Sequence, residues 1–156
     1  MKSRLAASLI ISVAVITGAT GCSMISPVAT KIEYSPSDGV NVPGDGPIQV
    51  RNAFIVATED GSTGNLVAAF VNEGDKNESI SIEIDGLAPL LVKVPVGEPV
   101  SLGANADPLL IEGLDAMPGS TVAVYFQSGS AEGELVQVPV LDGSLSYYAD
   151  LVPTTK

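Results

Sequence analysis

The segment SISIEIDG, Ser79 to Gly86, alternates without a break. Ile80, Ile82 and Ile84 point to one side of an extended chain, and Ser79, Ser81, Glu83 and Asp85 to the other. A period of two is the signature of a strand with one face in a core and one in water. The Asp85-Gly86 pair then closes the run as a turn. Working outward, similar runs recur about every ten residues, the spacing of short strands joined by tight turns. Ile48–Thr58 and Asn65–Gly74 flank the Gly- and Asp-rich loop Glu59–Gly64. Residues 89–96, 99–103, 108–114, 120–129, 134–143 and 144–148 supply the remaining candidates. Pro95 and Pro139 fall inside such runs and mark edge strands, bulges or strand ends, since proline cannot donate to a ladder. The sequence predicts an all-β domain with an antiparallel, immunoglobulin-like or cupredoxin-like sandwich. Tyr147 and Tyr148 are expected on a final core strand.

The N-terminus obeys a different pattern. Lys2 and Arg4 precede the apolar run Leu5–Ile16, and small residues follow to Gly21. This is the layout of a secretory signal peptide, too short and too Gly-rich at its exit for an ordinary spanning helix. Ala19-Thr20-Gly21-Cys22 resembles a bacterial lipobox, with Ala19 standing where leucine is usual. The resemblance implies cleavage between Gly21 and Cys22 and acylation of the Cys22 thiol. It also implies a protein held at the cell membrane on its extracytoplasmic side. Two or three acyl chains give stable anchoring where one is marginal. Cys22 is the sole cysteine, so no disulfide forms within the chain. The expected organisation is a signal peptide over 1–21, a lipidated N-terminus and linker over 22–45, a sandwich over 46–152 and a tail over 153–156. Ile32, Tyr34, Val40 and Val42 are the linker residues able to pack on the domain.

Past Gly21 the chain has 5 basic and 18 acidic side chains, a charge of -13. Such a surface repels phosphate backbones and anionic lipid heads, so no nucleic acid partner is expected. There is no histidine and no tryptophan, which removes the commonest general acid–base group and the usual aromatic lining of a glycosidase cleft. No catalytic residues and no cofactor are expected. Arg51, the only arginine past the signal peptide, reads as a snorkelling or ion-paired side chain on an early strand. Two oxygen-rich stretches are candidate cation sites: Asp38, Asn41 and Asp45, and the loop Glu59–Gly64. Asp-Gly pairs make turns unaided, and the spacing is not that of an EF-hand.

The stretch Val100–Leu141 resembles the C-terminal half of the periplasmic copper chaperone family PCuAC. Gly113-Leu114, Pro118-Gly119 and Val138-Pro139-Val140 match its fixed points. Asn72 and Gly74, closing Leu66–Gly74, match its Asn-x-Gly strand ending. The chain is also similar to actinobacterial lipoproteins of the LpqE type. Both resemblances imply the cupredoxin-like sandwich over roughly residues 46–141. The PCuAC resemblance further implies a His-x-Met copper motif, but Pro108 and Leu110 stand at those two positions. The expected function is that of a lipid-anchored, non-catalytic binding or assembly module with an envelope protein as partner. The alternative is a divergent metal-handling protein using carboxylates for a hard cation.

Overall fold

The computed structural model describes Arg4, residues 6–8, 10–13, Val15 and Ser35, and then residues 37–154. The chain forms two units, Met1–Tyr34 and Ser35–Lys156. In the first, the described residues are helical, with the Ser8 and Ser12 hydroxyls donating to the carbonyls of Arg4 and Ser8. Among the described residues no helix is long and apolar enough to cross a membrane. Cys22 and the proposed cleavage site lie outside the described residues.

The described residues of the second unit form nine strands and one helical turn. They are β1 (Val40–Val42), β2 (Ile48–Ala57), β3 (Thr63–Asn72), β4 (Glu78–Ile84) and β5 (Leu90–Val94). Then come β6 (Val100–Ser101), β7 (Leu109–Glu112), β8 (Thr121–Ser128) and β9 (Glu134–Leu141), followed by the turn Ser146–Ala149. The strands run β5-β4-β8-β9-β2-β3-β6 in one curled sheet, with β7 also on β3 and β1 on β2. The fold is the expected all-β, cupredoxin-like one. In β4, Ile80, Ile82 and Ile84 are buried, as the alternation required, while Ser79 is exposed. They pack in one core with Ile55, Leu66, Phe70, Val124 and Val138. Each isoleucine sealed from water there contributes about 1.5–3 kcal/mol.

One pairing departs from the antiparallel expectation. β9 pairs antiparallel with β8 as far as Pro139, and then Val140 and Leu141 run parallel to Ile55 and Val56 of β2. Proline sits at this switch for a physical reason. Val140 N donates to Ser120 O, on the β8 side. Amides alternate along a strand, so the amide-less position 139 faces β2, and pairing to β2 starts after it. Pro95 lies immediately past edge strand β5.

Two further corrections concern the ends. The linker boundary at 46 is set too late: Val40 pairs with Ala53 and Val42 with Val50, which makes β1 part of the sheet. The register steps by one residue where β2 bulges, at Asn52, whose φ is +52°. The Asn52 Oδ1 accepts from Gly39 N, and the Asn41 Oδ1 accepts from Asn52 N, so side-chain amides replace the missing ladder bonds. Residues 144–148 are not a strand. Asp142 Oδ1 accepts from both the amide and hydroxyl of Ser144, which turns the chain off the sheet into the helical turn. Tyr148 is then buried against Phe54 and Val56 in a second, smaller cluster with Leu151 and Val152, while Tyr147 is exposed. The expected tail begins inside the fold, since Pro153 is buried.

Candidate functional site

The three residues of the first candidate cation site go separate ways. Asp38 precedes β1, Asn41 lies within it and Asp45 follows it, so an extended segment advancing about 3.3 Å per residue separates them. Asp38 Oδ2 accepts from the Tyr148 hydroxyl at 2.5 Å. Asn41 is engaged by the Asn52 bulge, and Asp45 is exposed in the β1–β2 connection. In the second candidate, Asp60 Oδ1 accepts from Thr58 Oγ1 at 2.6 Å, Ser62 Oγ at 2.9 Å and Ser62 N at 3.1 Å. These bonds hold its carboxyl below the usual range, with Thr58 the largest cause. That oxygen makes the hairpin loop. Among the described residues no three His, Cys, Asp or Glu side chains are grouped to hold a metal ion.

The positions that the PCuAC resemblance assigns to the copper motif hold no metal donors. Leu110 is exposed on β7, and Pro108 is half-buried just ahead of that strand. Met117 is exposed in the β7–β8 turn, and the chain's other methionines, Met1 and Met24, lie outside the described residues. Soft Cu(I) requires thioether, imidazole or thiolate ligands. A chain without histidine, with a proline and a leucine at the motif, does not fit the ion.

What the fold does assemble is a groove at one end of the sandwich. Three loops meet there. Leu114 N and Ala116 N donate to Ser62 O and Gly61 O, joining the β7–β8 turn to the β2–β3 loop. Gly119 N donates to Val140 O, joining the same turn to the end of β9. The groove, about 330 Å³, is lined by Pro118, Gly119, Leu145 and Tyr148 together with the carboxylates Asp38 and Asp142. Burial first, then the Asp38 carboxylate, push the Tyr148 phenol well above its ordinary range. The Asp142 carboxyl lies below its usual range through its bonds from Ser144. Sequence reasoning missed this groove. Asp38 and Tyr148 are 110 residues apart, and no local pattern signals their pairing.

A solved structure, the copper-bound PCuAC domain from PmoF2, superposes with a TM-score of 0.51 at 14% sequence identity. The match covers 66% of this chain and 98% of that one. At this identity the likeness establishes the fold. No protein-family model matches the chain, and no curated protein matches it in sequence.

Proposed function

We propose that this chain is a lipid-anchored envelope protein, tethered through Cys22, that acts as a non-catalytic binding or assembly module for another envelope protein. The observation that carries this reading is a fold shared with a copper-bound domain in a chain without histidine, where Pro108 and Leu110 stand at the positions the PCuAC resemblance assigns to the His-x-Met motif. Without a His-x-Met motif, the architecture presents loops and sheet faces, the parts proteins use to bind one another. The absence of histidine from the sequence supports the non-catalytic reading, because a carboxylate alone must be strongly perturbed to serve near pH 7.

The test is photo-cross-linking of the full chain in its own cells, with mass spectrometry of the products and metabolic labelling with an acyl-chain analogue. A reproducible protein partner and label lost in Cys22→Ser are the expected results. Recovery of the chain alone, or label retained in that variant, overturns the corresponding half of the proposal. The likeness to a copper-bound domain supports a second reading, a metal-handling protein that uses carboxylates for a hard cation. Titration with Ca²⁺, Zn²⁺ and Cu(I) decides it: stoichiometric micromolar binding favours metal handling, and silence removes it.

A further inference from the structure

We infer that the groove lined by Pro118, Gly119, Leu145 and Tyr148 is the docking site, and that its occupant is a partner protein's segment carrying a lysine or arginine beside apolar residues. This inference rests on the binding-module reading and gives it a location and a chemistry.

Two independent features define the occupant. The first is apolar. Leu145, Met117 and Tyr147 are exposed, at 47%, 61% and 62%, and Pro118 lies beside Met117. Tyr147 meets the ring of Tyr148 edge-on, with centroids 4.5 Å apart. Pro118, Leu145 and Tyr148 line the groove, Met117 and Tyr147 adjoin them in the chain, and exposed apolar and aromatic side chains of this kind are the composition of an interface core. The second feature is charge. Asp38 and Asp142 line the groove itself, and Glu59, Asp60 and Asp115 stand on the loops hydrogen-bonded into the same end. The described cations of the domain are elsewhere. Lys76 lies in the β3–β4 turn at the opposite end, paired with Glu78 at 3.1 Å, and Lys93 lies on β5 opposite Ser79. Arg51 is exposed within β2 and opposite Ala69. A groove lined by apolar side chains and two carboxylates is complementary to an amphipathic cationic segment. The ammonium or guanidinium head sits between Asp38 and Asp142, and its methylene stem and apolar neighbours lie on Pro118, Leu145 and the Tyr148 ring.

The test uses the full chain in mild detergent and a fluorescent peptide alternating lysine with valine, followed by polarisation. Asp142→Asn keeps the acceptor for Ser144 and removes the charge; Leu145→Ser removes the apolar contact at an exposed position. Each is expected to weaken saturable binding about five-fold, the scale of one exposed contact. Glu98→Gln and Leu91→Ser, on other exposed surfaces, are expected to leave it unchanged. Absence of saturable binding overturns the inference, as does equal weakening in the control variants, which marks attraction to general acidity. Spermine competing equally well against wild type and Leu145→Ser also overturns it, because the groove then reads charge alone. Cross-linkers placed at 145 and at 91 in cells separate the two levels of argument. A partner captured only at 91 removes the groove and leaves the binding module standing, while capture at neither removes both.

Discussion

Replacing Asn72 with alanine removes a staple at the end of the sandwich remote from the groove. The side chain is buried, and both of its donors and its oxygen are bonded to the backbone. Its amide nitrogen donates to Val94 O and to Lys76 O, both at 2.9 Å, and its oxygen accepts from Gly74 N at 3.0 Å. The bond to Val94 joins the end of β3 to the end of β5, two strands far apart along the sheet path, and the other two hold the β3–β4 turn. Val94 O is the buried partner, and stranding it costs about 1–3 kcal/mol. Lys76 O and Gly74 N are partly reached by water, and losing their bonds costs about 0.5–1 kcal/mol each. The total is about 2–5 kcal/mol, or roughly 8–20 °C in melting temperature for a domain of this size. Circular dichroism melts and urea titrations of wild type and Asn72→Ala measure it, and Asn77→Ala is the control. Asn77 accepts only from Val96 N in an exposed setting, so that variant is expected to lose about 1 kcal/mol or less. A shift below about 3 °C for Asn72→Ala, or one no larger than that of Asn77→Ala, would refute the staple.

Gly64→Ala is expected to lose about 1–3 kcal/mol by overpacking. A methyl there meets Ile55 Cγ2 at 2.6 Å and Leu114 Cδ2 at 2.7 Å, and urea midpoints measure the loss. Tyr148 sets an alkaline limit. Its folded phenol titrates above the unfolded one, so the stability it contributes is complete below about pH 10 and declines as pH rises past that value. Tyr148→Phe is expected to flatten this decline in melts between pH 8 and 11, while losing about 1 kcal/mol at pH 7 with the Asp38 bond. Sodium chloride is expected to raise the melting temperature at pH 7, because only Lys76–Glu78 forms an ion pair among the described residues of a strongly acidic chain. A melting temperature that is flat or falling with salt refutes that.

The fold was legible where burial follows a local period. Ile80, Ile82 and Ile84 announce β4 and its orientation, and Pro95 marks the end of β5, because both depend on neighbours along the chain. Pro139 was legible as an interruption but not as the point where a strand changes sheets, since that requires knowing what lies on each side of it. Val40 and Val42 were read as able to pack. Their membership of the sheet depends on the Asn52 bulge, held by side-chain amides that have no sequence period. The residues 144–148 were misread because tyrosine favours strands. A single Asp142 turn and the cluster around Phe54 override that preference. The groove was not legible at all: Asp38, Pro118 and Leu145 come from three separate regions and meet only through tertiary structure.

The strand that changes sheets also governs the order in which this protein can be assembled. β9 is the last of the described strands, and it is the strand that pairs with both the β5-β4-β8 half and the β2-β3 half. A nascent or threading chain therefore holds two incomplete half-sheets with open edges until Leu141 has emerged. Closure then brings residues 55 and 140 together, a contact of long sequence separation of the kind that makes β-rich domains fold slowly. The interval before closure is when the open edges of the two half-sheets are exposed to wrong pairing.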